Sequence, residues 1–211
     1  ELMEAANRIL EHHPLNEKLR AEGKMPANGV WFWAEGTAVK LPDFKQETGH
    51  DGVVVSAVPL CHGIAALTGL SFVCPEGATG EKDTNYENKL AAALKILEDH
   101  DFAAVHVEAP DECTHNGDLE GKLEAIGWLD TRLIRPLDAA MRERGWDYRL
   151  LFLSDHKTLT STRGHDGDPV PYMLYDSRVD TKAGLPYTEK SGEKGPYVNS
   201  GVALMSILFE K

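Results

Sequence analysis

The sequence lacks any apolar run that approaches the roughly 20 residues needed to cross a bilayer, and its acidic, amphipathic start is unlike a signal peptide. It also lacks a CxxC pair, and its three cysteines, Cys61, Cys74 and Cys113, are widely spaced. Such cysteines favour a reducing compartment, where each thiol serves as a small apolar side chain. We therefore expect a cytoplasmic protein that has no membrane partner.

Basic residues are scarce, because 22 lysines and arginines stand against 34 acidic residues and give a net charge of −12. Nucleic-acid binding requires an excess of positive charge, so we expect no nucleic-acid partner. An acidic chain suits divalent cations, and a phosphorylated substrate would need metal or local arginine and lysine. The acidic composition is equally explained if the negative charge serves only to keep the protein soluble.

Several nucleotide-binding and hydrolase motifs are absent. There is no GxSxG elbow, no P-loop and no GxGxxG sequence. The glycine-rich stretch "GATGEKDTNYENK", residues 77–89, precedes a predicted helix but lacks the GK[ST] ending. Nucleotide binding is therefore a weak interpretation of that stretch.

Runs of apolar, β-branched residues alternate with segments of helical periodicity in this 211-residue chain. The predicted strands are residues 30–34, 52–58, 71–77, 101–110, 147–154 and 169–177. The predicted helices are residues 1–13, 60–70, 85–100, 117–145 and 201–209, with Pro136 expected to kink or split the fourth. The alternation predicts an α/β fold with a mainly parallel sheet and helices on both faces. Residues 1–28 are interpreted as an N-terminal helix and connector, and residues 29–211 as one domain.

Metal-type ligands follow two of the predicted strands, where α/β folds bind their ligands. Asp111 and His115 lie four residues apart after one strand, and Asp155 and His156 follow another, with His165 beyond them. Imidazole and carboxylate together suit zinc, manganese or iron(II). Helix caps, turns and ordinary surface residues remain alternative interpretations of each group. His106, inside a predicted strand, is interpreted as a packed residue or one that supports the ligands from behind.

The chain resembles the archaeal-type cofactor-independent phosphoglycerate mutases of the alkaline phosphatase superfamily. The resemblance rests on ordered segments that span nearly the whole chain. They are "MPANGVWFWAEG", "GVVVSAVPLCHGIAALTGL", "EGATGEKDTNYENK", "VHVEAPDECTHNGDLEGKLEAI" and "LFLSDHKTLTSTRGHDGDPVPYMLYDS". It implies that residues 29–211 are the C-terminal part of a metal-binding, alkaline phosphatase-like domain.

The resemblance implies a centre of two divalent ions, manganese, zinc or magnesium. Asp111, His115 and His165 would match the ligands of one ion, and Asp155 and His156 those of the other. The implied activity is isomerisation of 3-phosphoglycerate to 2-phosphoglycerate in glycolysis and gluconeogenesis, through a phosphoserine and without 2,3-bisphosphoglycerate. The metals would activate the serine hydroxyl and neutralise the phosphoryl oxygens.

The chain departs from the family pattern in several places. The family's nucleophilic serine and one further metal ligand belong to an N-terminal segment with no counterpart here, so no catalytic nucleophile is identified. The remainder of a longer chain is thus an expected partner, and the fragment alone is expected to be inactive. His62 stands where the family has a lysine, and His62 and Arg163 are candidate substrate contacts. Another phosphotransferase or phosphatase of the superfamily, or a non-catalytic metal-stabilised module, remains the alternative.

Overall fold

The computed structural model describes residues 1–33, 35–179 and 184–209. In chain order the helices are α1 (Leu2–Glu11), α2 (Pro14–Ala21), α3 (Phe44–Thr48), α4 (Pro59–Leu67), α5 (Tyr86–Ile96), α6 (Ala109–His115), α7 (Leu119–Trp128), α8 (Arg135–Glu143), α9 (Glu189–Gly192) and α10 (Gly201–Phe209). The strands are β1 (Gly52–Val55), β2 (Ser71–Val73), β3 (Phe102–Val105), β4 (Arg149–Leu153), β5 (Lys157–Leu159), β6 (Gly164–Asp166) and β7 (Tyr172–Asp176). Within these ranges, every helix is too short or too polar to cross a bilayer.

The chain divides into two compact units, Glu1–Lys40 and Leu41–Lys211. In the first unit the buried side chain of Asn16 joins the segments around it. Its amide donates hydrogen bonds of 2.7 Å to the carbonyls of Leu10 and Ala27, and its carbonyl accepts one from the Ala27 N–H. The domain division at residues 28 and 29 stays a prediction.

The first predicted strand, residues 30–34, differs from the structure. Residues 30–33 adopt no regular conformation, and residue 34 lies outside the described residues. The side chains of Trp31, Phe32 and Trp33 are exposed. Aromatic and β-branched residues favour a strand only where a neighbouring strand and a packed face are available, which explains the wrong prediction.

The second unit is built on a three-stranded parallel sheet in the order β2–β1–β3. The central strand β1 is buried along its whole length, which suits its run of three valines. Val53 and Val55 pack with Ile96 of α5 in the core cluster. Helices α4 and α5 both contact β1. The predicted α/β class with a parallel sheet is confirmed.

The later strands of the described residues pair in the antiparallel sense. β4 pairs with β7, and β5 pairs with β6 in a hairpin. The sequence predicted β4 and β7 but not β5 and β6, because Leu159 is the one apolar residue in 157–166 and the stretch lacks a strand-like apolar alternation. The parallel sheet therefore consists of β1, β2 and β3, and the two antiparallel pairs form separate two-stranded sheets.

The long helical segment predicted at residues 117–145 is split, as Pro136 suggested. Between α7 and α8, residues Leu129–Ile134 form a π-helical segment. The Arg135 N–H donates to the carbonyl of Asp130, five residues back. Proline has no N–H to donate, so the wider turn just before Pro136 accommodates its ring while the chain stays helical.

Candidate metal centre

The first part of the candidate centre lies on α6, which is separated from the end of β3 by three residues. Asp111 and His115 are one helical turn apart and share a face of this helix. His115 Nε2 lies 3.2 Å from Asp111 Oδ2. The four-residue spacing seen in the sequence thus becomes a side-chain pair because α6 directly follows the carboxyl end of a parallel strand.

The second part is the β5–β6 hairpin, which contacts α6 through β5. Thr158 and His165 are opposite each other in the hairpin register. Arg163 closes the turn with a positive φ of 54°, and its N–H donates to the Leu159 carbonyl at 2.8 Å. This left-handed conformation is costly for a residue with a side chain, so the surrounding contacts must hold it.

Asp111, His115 and His165 meet between the helix and the hairpin. His115 Nε2 and His165 Nε2 are 3.1 Å apart, and His165 Nε2 lies 3.4 Å from Asp111 Oδ1. Their potential ligand atoms all lie within 4.8 Å of one another. The structure therefore brings together three residues that sequence reasoning assigned to one metal.

The spacing of these atoms fits a divalent metal. Bonds of about 2.1 Å place neighbouring ligand atoms about 3.0 Å apart at right angles and about 3.4 Å apart at the tetrahedral angle. The two Nε2 atoms are 3.1 Å apart, and each lies 3.2 or 3.4 Å from a different oxygen of the Asp111 carboxylate, so these separations fall in this range. Two imidazole nitrogens with a carboxylate are a donor set that zinc and manganese accept.

Two further groups hold His115 and Asp111 in place. His115 Nδ1 donates to the carbonyl of Arg163 at 2.7 Å, and because a carbonyl only accepts, Nε2 keeps its lone pair for a metal. The Thr158 hydroxyl donates a short hydrogen bond to Asp111 Oδ1. Sequence reasoning missed both contacts, since neither threonine nor a backbone carbonyl carries a metal-ligand signature.

Asp155 and His156 lie beside this group. The ring of His156 stacks on that of His165, with 3.7 Å between centroids. His156 Nε2 is 3.4 Å from Asp155 Oδ2, and the Asp155 side chain is 80% exposed. Among the described residues, the clusters of three metal-type ligands do not include Asp155 or His156. Their assignment to a second metal stays a prediction.

Asp111 also belongs to a second cluster of acidic residues, which the sequence analysis did not predict. Glu108, Asp111 and Glu112 form a cluster at the start of α6. Burial, followed by the charges of Glu112 and Asp111, raises the pKa of the Glu108 carboxyl. A β-carbon built on Gly80 would lie 2.5 Å from Glu108 Oε2, so the glycine-rich loop approaches this carboxylate closely. The sequence signal was the "EAPDE" run itself.

The two predicted substrate contacts lie in different surroundings. His62, on α4, is exposed and stacks on Phe72 with 4.3 Å between ring centroids. A β-carbon on Gly117 would fall 2.5 Å from the Arg163 guanidinium, so that side chain lies over the Gly117 backbone. Arg163 thus adjoins the candidate centre through its carbonyl, and its substrate role and that of His62 stay predictions.

Comparison with known proteins identifies the family. The profile of the Metalloenzyme superfamily matches residues 4–209. This chain belongs to the Metalloenzyme superfamily. Membership implies binding of divalent metal, in agreement with the chemistry of the Asp111, His115 and His165 group.

Similar proteins of the superfamily carry a consistent name. The chain is 41% identical over 213 residues to a probable 2,3-bisphosphoglycerate-independent phosphoglycerate mutase of Geobacter sulfurreducens, covering 100% of this chain and 53% of that protein. It is 40% identical over 193 residues to a 2,3-bisphosphoglycerate-independent phosphoglycerate mutase of Methanosarcina acetivorans, covering 92% of this chain and 49% of that protein. The chain spans about half the length of these curated relatives. The resemblance inferred from the motifs is confirmed.

Solved structures support the fold. A Pyrococcus horikoshii protein matches with a TM-score of 0.75 and 30% identity, covering 99% of this chain and 56% of its own. A cofactor-independent phosphoglycerate mutase of Thermoplasma acidophilum matches with a TM-score of 0.58 at 22% identity, covering 98% of this chain and 48% of its own. The second likeness supports the fold alone.

Proposed function

We propose that this chain supplies part of the metal centre of a 2,3-bisphosphoglycerate-independent phosphoglycerate mutase. The carrying observation is the convergence of Asp111, His115 and His165, whose potential ligand atoms, one from each residue, all lie within 4.8 Å of one another. The names of relatives at about 40% identity supply the reaction class. The proposed substrate is 3-phosphoglycerate, and the proposed setting is cytoplasmic glycolysis and gluconeogenesis.

The roles of the side chains follow from their positions. Asp111, His115 and His165 would hold one ion, and Asp155 and His156 would contribute to a second. Bound divalent ions would supply Lewis-acid chemistry and neutralise phosphoryl charge. The Arg163 carbonyl and the Thr158 hydroxyl keep His115 and Asp111 in the orientation that a ligand needs. Manganese, zinc and magnesium are the proposed ions.

Metal analysis tests the proposed ligands. His165→Ala should lose more bound manganese than Asp155→Ala, because His165 belongs to a complete group of three and Asp155 does not. His12→Ala, an exposed histidine of the first unit, is the matched control and should retain wild-type metal content. Equal losses in His165→Ala and Asp155→Ala would contradict the proposed order of the two sites.

An assay of the full-length protein with 3-phosphoglycerate tests the activity. We expect metal-dependent formation of 2-phosphoglycerate without added 2,3-bisphosphoglycerate, and its loss in Asp111→Asn. Release of inorganic phosphate without 2-phosphoglycerate would indicate a phosphatase instead. An Asp111→Asn protein with unchanged turnover would refute the proposed metal centre.

A further inference from the structure

A buried serine and a histidine pair at the carboxyl ends of the two neighbouring strands β1 and β3. Ser56 directly follows β1 and is fully buried, and His106 directly follows β3 and is half-buried. Ser56 Oγ lies 3.2 Å from His106 Nδ1, and the His106 N–H donates to the Val55 carbonyl at 2.9 Å. The sheet itself therefore fixes this pair, and neither residue has a role in the proposed function.

The hydrogen bonds around Ser56 determine where the imidazole carries its proton. The Val58 N–H donates to Ser56 Oγ at 3.0 Å, so the serine oxygen already accepts one bond. Among the described residues, His106 Nδ1 is the one acceptor within reach of the buried Ser56 hydroxyl. The hydroxyl therefore donates to Nδ1, because a buried donor without a partner is costly. Nδ1 is then unprotonated, and the proton resides on Nε2.

The other ring nitrogen of His106, Nε2, lies on the opposite side of the imidazole from Ser56. His106 lines a broad, open groove that also contains Asp111, Asp155 and His156 of the candidate centre's surroundings. In the part of the chain that the structure describes, His106 Nε2 has no hydrogen-bond partner, and the buried Lys89 ammonium holds the His106 carbonyl at 2.9 Å. Burial, and secondly the charge of Lys89, lowers the pKa of His106, which keeps the imidazole neutral.

We infer that His106 is a substrate-contacting residue whose Nε2–H donates a hydrogen bond to a phosphoryl oxygen at the candidate metal centre. This inference rests on the proposed function, which supplies the phosphoryl group. A protonated Nε2 has no lone pair for a metal, so His106 serves as a donor beside the centre rather than as a ligand. A neutral donor fixed in advance by Ser56 costs little reorganisation when the anion binds.

Nitrogen-15 NMR of histidine-labelled, zinc-loaded full-length protein tests the fixed proton position. We expect His106 to show the Nε2–H form, and Ser56→Ala to mix the two neutral forms. An Nδ1–H form in the wild-type protein would overturn the inference. This measurement does not depend on mutase turnover, so it separates failure of the inference from failure of the proposed function.

Binding of inorganic phosphate to the manganese-loaded full-length protein, measured by calorimetry, tests the contact. His106→Gln can retain a donor near the Nε2 position, whereas His106→Asn retains only a group near Nδ1 that can still bond Ser56. We expect His106→Asn to bind phosphate about tenfold to a hundredfold more weakly than the wild-type protein, and His106→Gln to recover part of that loss.

Manganese content and thermal unfolding of both variants provide the control, and both should match the wild-type protein. Comparing His106→Asn with His106→Gln distinguishes a contact between His106 and phosphate from a purely structural role of His106. If the Ser56 bond alone mattered, His106→Asn would be the better tolerated variant, and that order of affinities would overturn the inference. Equal phosphate affinity in His106→Asn and the wild-type protein would overturn it as well.

Discussion

The Thr158 hydroxyl shows how one uncharged side chain can orient a candidate metal ligand. It donates to Asp111 Oδ1 and lies 3.3 Å from His156 Nδ1. We expect Thr158→Val to reduce manganese affinity about tenfold to a hundredfold, because such supporting contacts orient the ligands. Thr158→Ser keeps the hydroxyl and is the matched control in a titration with manganese. Wild-type affinity in Thr158→Val would show that Asp111 needs no such support.

The Glu108 carboxyl predicts a pH dependence of stability in the metal-free protein. Its folded-state pKa is raised above the ordinary 4.5 by burial and by the charges of Glu112 and Asp111. Between 4.5 and the raised value the folded state holds more protons than the unfolded state. The free energy of unfolding therefore falls as the pH rises through that window.

Glu108→Gln removes this titration, so its free energy of unfolding should fall less steeply with pH than that of the wild-type protein. Urea denaturation in the presence of a chelator, from acidic to neutral pH, provides the measurement. Glu120→Gln, an exposed residue at the start of α7, is the control and should follow the wild-type curve. Parallel curves for Glu108→Gln and wild type would contradict the prediction.

The meeting of Asp111, His115 and His165 agrees with the set that the family resemblance implied, and their role as ligands stays a prediction. The contacts that support them could not be predicted. Asp111 and His115 carry a four-residue spacing that any helix converts into a pair. Arg163, whose carbonyl accepts the hydrogen bond from His115, adopts a left-handed conformation that its residue type disfavours. The Ser56 contact with His106 depends on the pairing of two strands that are distant in sequence.

At the scale of elements, the pairing of β1 with β3 depends on a close approach at Gly52. A β-carbon there would lie 2.7 Å from the Phe102 carbonyl oxygen and 2.8 Å from its ring. We expect Gly52→Ala to destabilise the protein by about 1–3 kcal/mol, because backbone and ring must both shift. Chemical denaturation followed by circular dichroism measures this change.

Gly63 in α4 is the matched control, since a β-carbon there meets no atom within 4 Å. Gly63→Ala should stabilise the protein by up to about 1 kcal/mol through helix propensity. Both substitutions add one methyl group to a glycine, but they are expected to change the free energy of unfolding in opposite directions. Destabilisation of the same size in both variants would mean that the Phe102 contact is not what constrains position 52.

Sequence patterns predicted elements well where the pattern and the packing agree. The valine run of β1 and the periodicity of α5 are both confirmed, because burial on both faces or on one face imposes those patterns. The β5–β6 hairpin was missed because residues 157–166 are mostly polar and lack the apolar alternation that marks a strand. The π-helical segment before Pro136 was predicted only as a kink or a break, since proline restricts the chain without dictating the widened turn.

At the scale of the whole molecule, the candidate centre joins α6 to the hairpin, so metal binding should stabilise the second unit. Manganese at 100 times its dissociation constant should add about 2.7 kcal/mol to the free energy of unfolding. Asp111→Asn should abolish most of this gain, while Glu120→Gln should keep it. Thermal unfolding with manganese and with chelator tests the prediction, and equal melting temperatures for the wild-type protein in both conditions would contradict it.

The hairpin at residues 157–166 also has a consequence for folding kinetics. Its own strands pair within a short stretch of chain, whereas its contacts with α6 join residues 47 to 50 positions apart. Short-range pairing has a smaller loop-closure cost than contacts over such distances, so we expect the docking of the hairpin on α6 to follow its formation. A metal that bridges the two pieces would then slow unfolding far more than it speeds folding. Metal binding at the candidate centre would thus determine the kinetic stability of the native state, that is, the time it persists before unfolding.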